Sequence, residues 1–242
     1  MTSSGRELVK WIALVLMTGD HVAKVFFGGY VPVVSELGRV AFPAFALVMA
    51  YNLAQPQADV SKSVKRLALW GVIAQPAHAL AFGYWLPLNV LLSFALAAAC
   101  ILCMQRGRWW LLALLAGPAP LFVDYQWAGL FFVLAWWWAL SSPPVIRGDN
   151  SIWVVYFRGL LAVAAYGPLL LYNGNGWALV AFFLVGWLSD PLRRLPAIRR
   201  MRWAFYGYYA VHLLLLAGLL HLHPSIVYSP EPLAADASFT GL

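Results

Sequence analysis

The chain has 242 residues, of which 63% are hydrophobic, 16% aromatic and only 10% charged, with a formal net charge of +7. Soluble domains carry about 25% charged residues, so the composition excludes a soluble globular domain, a disordered chain and a nucleic-acid-binding domain, and points to an all-α polytopic membrane protein. The basic excess reads as loop charge that sets membrane topology, with no nucleic acid implied as a partner.

Hydropathy and helix breakers divide the chain into a bundle of roughly nine transmembrane helices, several shorter than the about 20 residues that a bilayer requires. The first apolar span covers residues 7–27 and contains Asp20, His21 and Lys24. It runs through these charged residues without a small-residue cleavage site, so it reads as a helix of the mature protein and not as a signal peptide. Each ionisable group costs about 2.5–3.5 kcal/mol at a helix centre on insertion scales, so three in one helix should face a protein interior or a wet cavity.

A Gly28-Gly29 turn leads to the second span, residues 37–54, with Arg39 near its start. The third, residues 64–82, opens on Lys65 and Arg66 and should kink at Pro76, between Gln75 and His78. The fourth, residues 88–104, starts beside Asn89 and ends in an apolar run containing Cys100 and Cys103. That spacing puts both cysteines on one helix face. With no other soft ligand nearby, they read as packing residues and not as a redox pair or metal site.

The fifth span, residues 109–123, is broken by Gly117-Pro118 and Pro120, and Asp124, Tyr125 and Gln126 form a polar turn before the tryptophan-rich sixth, residues 128–140. The seventh, residues 151–172, carries Arg158 and ends in the turn Asn173-Gly174-Asn175-Gly176. The eighth covers residues 177–189, a basic loop follows at 190–202, and the ninth, residues 203–222, has His212 at its middle. No internal repeat or linker divides residues 1–222, which read as one transmembrane domain followed by a polar tail, 223–242.

Lysine and arginine fix an orientation. With the N-terminus in the cytoplasm, 13 of the 16 fall inside: Arg6, Lys10, Lys62, Lys65, Arg66, Arg106, Arg108, Arg147, Arg193, Arg194, Arg199, Arg200 and Arg202. Only Lys24, Arg39 and Arg158 do not. Asp20, His21, Lys24, Arg39, Gln75, His78, Asn89, Asp124 and Tyr125 then share one depth, toward the periplasmic side, although they come from different helices.

That convergence is the pattern of a buried acid–base site, in which a carboxylate orients an imidazole and raises its basicity. Asp20 and His21 are adjacent and do not face each other on a helix, so His21 is expected to pair across helices, with Asp124 or His78. Asp20 and Lys24 are four residues apart and suited to neutralise each other. Arg39 reads either as a snorkelling side chain or as a clamp for a phosphate or carboxylate. Arg158 should have a protein partner. His212 reads equally as a cross-helix hydrogen-bonding group or a catalytic one, and His221 with His223 makes only a weak metal pattern. The 190–202 run reads first as topology and second as a site for anionic lipid or a phosphorylated cofactor. No nucleotide-binding loop, serine-hydrolase elbow or zinc signature occurs, so no metal is expected.

The order of motifs resembles a known family. K-x-I-A-L-V-L-M-x-x-D-H ends at His21, L-G-R-x-A-F-P-x-F-A starts at Leu37, and R-L-x-x-W-G-x-I-A-Q starts at Arg66. L-N-V-L starts at Leu88, D-Y-x-x-x-G-L at Asp124 and F-Y-x-x-Y-x-x-H-L at Phe205. This is similar to the TraX family, associated with acetylation of conjugative pilin, and to conjugal-transfer proteins of the TrbP kind. The match is strong over residues 9–92, patchy to Leu130, and returns in the last span. It marks Asp20, His21, Arg39, Gln75, Asn89, Asp124 and His212 as family positions.

The resemblance implies a multi-pass transferase of the bacterial inner membrane that modifies a conjugative pilin subunit, with acetyl-CoA as donor. His21 is the expected general base, Asp20 or Asp124 its orienter, with His78 and His212 as further catalytic candidates and Arg39 as anion clamp. Acetyl-CoA is cytoplasmic, whereas the polar cluster lies toward the periplasm. Three resolutions are open: the donor binds at the basic inner face, its phosphates on 193–202, and passes the acetyl group to a buried base; the cluster lies deeper than this placement; or the donor is a membrane phospholipid such as phosphatidylglycerol, giving its glycerophosphate head group. A non-enzymatic pilin chaperone and a small-solute transporter are the readings from other classes.

Overall fold

The computed structural model describes residues 1–141, 151–189, 198–199, 201 and 203–222, and every regular element among them is helical. The helices are α1 (Ser3–Phe26), α2 (Val34–Gly38), α3 (Ala41–Leu53), α4 (Val60–Phe82), α5 (Val90–Gln105), α6 (Trp109–Ala116), α7 (Gln126–Leu140), α8 (Ser151–Ala164), α9 (Tyr166–Asn173), α10 (Val180–Ser189) and α11 (Ala204–Leu222). Short 3-10 turns precede α7 and α10. All nine expected apolar segments are helical. Among the described residues, three stretches are long and apolar enough to cross a membrane, Val34–Leu53, Ile152–Asn173 and Ala204–Leu222.

Local chemistry sets the helix ends. The Thr2 hydroxyl accepts from the Gly5 N–H at 3.1 Å and the Asp59 carboxylate from the Lys62 N–H at 2.8 Å, capping α1 and α4. Gly83 ends α4 in the left-handed conformation, φ 77°. Two expected single spans are each interrupted. The second splits between Gly38 and Ala41, and the seventh between Ala164 and Tyr166. The cause is the same. Pro43 and Pro168 have no N–H for the carbonyls of Arg39 and Ala164, so each chain stops there and restarts with proline in its first turn. Pro76 sits in the middle of α4 and does not break it.

α1 runs through the bundle, packing on α2, α3, α10 and α11. α4 lies against α5 and α11, and α3 joins α1 to α7. The core is apolar and contains Cys100 and Cys103, both free and buried. Arg158 donates to the Ser141 carbonyl at 3.3 Å and lies 4.7 Å over the Trp138 ring. Large apolar side chains cover the outside, with Leu171 85%, Trp153 71% and Phe183 69% exposed, a surface suited to lipid.

The ends of the bundle differ in charge. Arg6, Lys10, Lys62, Lys65 and Arg66 lie where α1 and α4 begin, the same end that receives the C-terminus of α3 and the start of α11. Asp20, His21 and Lys24 lie at the opposite end.

Candidate active site

Around these last three residues is a cavity of about 90 Å³. Its wall takes Asp20, His21 and Lys24 from α1, Phe42 and Phe45 from α3, His78 and Phe82 from α4, Val90 and Phe94 from α5, and Tyr209 from α11. Tyr84, Asp124 and Tyr125 close it from the loops. Six of the ten residues singled out from sequence therefore line one cavity: Asp20, His21, Lys24, His78, Asp124 and Tyr125.

The partner of His21 is His212, from α11, and not Asp20, Asp124 or His78. His21 Nδ1 lies 2.8 Å from His212 Nε2, with the rings stacked at 5.1 Å. His212 Nδ1 is 2.9 Å from the Tyr208 carbonyl. This chain of contacts fixes the tautomers. A carbonyl oxygen can only accept, so with both rings neutral the His212 Nδ1 carries a proton and its Nε2 offers a lone pair. His21 Nδ1 donates to that lone pair. Nε2 of His21 then holds the unprotonated lone pair required of a general base. Thr18 supports the arrangement: its hydroxyl meets the Leu14 carbonyl at 2.8 Å and the Tyr208 hydroxyl at 2.9 Å.

Asp20 Oδ2 and Lys24 Nζ form an ion pair at 2.7 Å, as their spacing suggests. Asp20 Oδ1 is buried without a hydrogen-bond partner among the described residues, as is His78 Nδ1. Asp20 reaches this position because Gly38 has no side chain. A Cβ at Gly38 would overlap Asp20 Cβ and lie 2.8 Å from its Cγ. The glycine of the L-G-R-x-A-F-P motif thus admits α1 against α2.

The Asp124 turn is held by its backbone. Asp124 N–H donates to the Leu88 carbonyl at 2.9 Å, its carbonyl accepts from the Ser93 hydroxyl at 2.7 Å, and its Oδ1 accepts from the Tyr125 N–H at 2.9 Å. Tyr125 adopts a left-handed backbone, φ 61°, which costs a non-glycine residue about 1 kcal/mol or more. Its ring stacks on Phe42 at 3.8 Å. Gly129 leaves room for this stack, since a Cβ there would lie 2.6 Å from Tyr125 Cβ and 2.8 Å from the Phe42 ring.

Gln75 and Asn89 are absent from the cavity wall and form a buried amide network. Gln75 Oε1 accepts from the Asn89 backbone N–H at 2.9 Å and from its Nδ2 at 2.8 Å, while Gln75 Nε2 donates to the Trp85 carbonyl at 2.9 Å. Asn89 Nδ2 also donates to the Gly71 carbonyl at 2.8 Å, and its Oδ1 caps α5 at Leu91 N–H, 3.1 Å. This ties the proline-bearing part of α4 to the start of α5. Asn89 is completely buried, so Asn89→Ala should lower stability by about 3 kcal/mol through orphaned partners and a lost cap. Thermal unfolding in detergent reads this directly, and a variant as stable as the parent would show that the network contributes nothing.

Arg39 is half-buried and off the cavity wall, yet close enough for its charge to act on Asp124 and Tyr125. His221 Nδ1 turns back to the Ala217 carbonyl at 2.7 Å, and His223 lies outside the described residues. So do most of the 190–202 run and all of the 223–242 tail. No group of three or more histidine, cysteine, aspartate or glutamate residues is placed to hold a metal among the described residues. The sequence reading missed Gly38 and Gly129 as determinants of the site, although both stand inside the quoted motifs.

Comparison with known proteins adds independent evidence. Residues 5–220 match the family model described as TraX protein. The chain is 38% identical over 232 residues to Protein TraX of Escherichia coli, covering 88% of this chain and 86% of that one. It is 34% identical over 105 residues to Protein TraX of Escherichia coli strain K12, covering 43% and 42%. An uncharacterized protein of Rickettsia prowazekii, RP591, is 28% identical over 96 residues, covering 40% and 36%. No solved structure matches.

Proposed function

This chain belongs to the TraX family, and from that premise we propose that it is a multi-pass transferase of the bacterial inner membrane, N-terminus cytoplasmic, that acetylates a conjugative pilin subunit from acetyl-CoA. The observation that carries the catalytic part is the His21–His212 contact, which leaves His21 Nε2 as a base on a cavity lined with buried charge. In the reaction an amine or hydroxyl of the pilin attacks the thioester carbon. His21 Nε2 takes its proton, the C–S bond breaks, and the proton passes to the departing thiolate. Lys24 supplies positive charge for the developing oxyanion. A small hydrophobic pilin in the same membrane would reach such a site laterally.

One observation favours a second reading. The cavity is at the end of the bundle opposite the basic residues, where an outer-leaflet phospholipid head group would meet it without crossing the protein. Arg39 and Lys24 would then hold the phosphate of phosphatidylglycerol while an amine or hydroxyl of the pilin attacks phosphorus and His21 takes its proton; the P–O bond to diacylglycerol breaks, diacylglycerol leaves with that proton, and glycerophosphate stays on the pilin. The intact mass of pilin from cells with and without this protein decides: a gain of about 42 Da is acetyl and about 154 Da glycerophosphate, by bond arithmetic. Unchanged mass would remove both and leave a pilin chaperone.

A further inference from the structure

A larger cavity, about 180 Å³, lies at the basic end. Lys10, Asn52, Ser63 and Arg66 stand among its wall residues, and the remainder of the wall is apolar or aromatic. It shares Met17, Phe45, Val90, Phe94 and Tyr209 with the cavity around His21, so one layer of side chains forms a common wall.

We propose, resting on the acetyl-transfer reading above, that this larger cavity is the donor site and takes a pantetheine thioester, with its phosphates at Arg66 and Lys10 and its arm directed along α1 toward His21. Charge, shape and distance support this occupant. Arg66 lies 5.4 Å over the Tyr206 ring, and its Nε is buried without a hydrogen-bond partner. Lys10 lies 4.4 Å over Phe205 and is ion-paired with Glu7 at 2.7 Å. Two cations on aromatic faces in the wall of an otherwise mostly apolar cavity suit an anion that carries a long uncharged arm. Along α1, Lys10 and His21 are separated by roughly 16 Å at the helical rise. A pantetheine arm, about as long as four extended residues, spans roughly 14 Å. Soluble thioester would enter from the basic end, and its carbonyl carbon would arrive at the shared wall, about 2 Å short of the level of His21. The mismatch between a cytoplasmic donor and a base at the far end then narrows to the thickness of that wall, Met17, Phe45, Val90, Phe94 and Tyr209. A phospholipid donor has the same phosphate chemistry but would approach the His21 cavity from its own end and have no use for this larger cavity.

The test uses the full-length protein in phosphatidylcholine nanodiscs, carrying Ser63→Cys as a reporter; Cys100 and Cys103 are buried. Acetyl-CoA at about 10 mM, roughly ten times the top of the usual KM range, should slow maleimide labelling at position 63 at least roughly tenfold. Adding Arg66→Gln should raise the half-protecting concentration roughly tenfold. Phosphatidylglycerol added to the nanodiscs should give no protection. Labelling unaffected by acetyl-CoA, in a protein that still modifies pilin, would overturn the donor site and leave the transferase reading standing. Protection by phosphatidylglycerol but not acetyl-CoA would overturn it in favour of a lipid. If Ser63→Cys does not fold, Arg66→Gln alone serves. Its KM for acetyl-CoA should rise roughly tenfold with kcat within about twofold, and a loss confined to kcat would overturn the assignment.

Discussion

His21→Ala should lower the rate of pilin modification by about 10²–10⁴-fold, the usual contribution of a positioned general base, while the protein still elutes as a folded monodisperse species. His212→Ala should lower it less, roughly ten- to thirtyfold, because it removes the group that orients the base but leaves the base itself. The distinction comes from the hydrogen-bond chain. His21 Nδ1 needs an acceptor, and His212 Nε2 provides it at 2.8 Å only because the Tyr208 carbonyl holds the other nitrogen of that ring in its protonated form. His212→Gln, which can offer an amide oxygen, should therefore recover part of the activity that His212→Ala loses. A purely structural role would predict no such recovery. Rates from the time course of pilin mass decide the matter, and His21→Ala within about twofold of the parent would remove His21 as the base.

Gly38→Ala should damage both the fold and the site. Its new methyl overlaps Asp20 Cβ and lies 2.8 Å from Cγ, atoms close to the α1 backbone that cannot swing aside. Relief requires α1 and α2 to separate, at about 1–3 kcal/mol, and moves Asp20 and the adjacent His21 from their partners. Activity should fall along with melting temperature. Gly186→Ala is the control: it sits inside α10 with nothing within 4 Å of the added carbon, so the gain in helix propensity should leave stability equal or higher by up to about 1 kcal/mol. Equal melting temperatures for Gly38→Ala and the parent would show that the α1–α2 contact yields easily.

The sequence made some of this legible and not the rest, for definite reasons. The cost of charge in an apolar helix marked Asp20, His21 and Lys24, and the distribution of lysine and arginine placed them at the same depth as His78, Asp124 and Tyr125. All six line one cavity. Helical geometry excluded a direct Asp20–His21 pair and foresaw the Asp20–Lys24 pair. The partner of His21 was not legible, because His212 is 191 residues away and nothing in local spacing distinguishes it from His78 or Asp124. Gln75 and Asn89 looked like site residues because they are polar at the same depth. Their hydrogen bonds close on each other and on the backbone, so they fasten helices instead. The breaks before α3 and α9 follow from Pro43 and Pro168, which a hydropathy window passes over. Gly38 and Gly129 were on view inside the motifs, but which side chain a glycine admits depends on a packing contact that sequence does not give.

Among the described residues the bundle holds a polar cavity around His21 and a larger, mostly apolar cavity behind it, with one layer of side chains between them. The most direct test is to combine the purified protein, purified pilin and acetyl-CoA in lipid vesicles, with no other component, and to record intact pilin mass. Pilin should gain about 42 Da, the mass of one acetyl group replacing one hydrogen, and should gain nothing when His21→Ala replaces the parent. Pilin of unchanged mass in the presence of folded protein would contradict the acetyl-transfer reading.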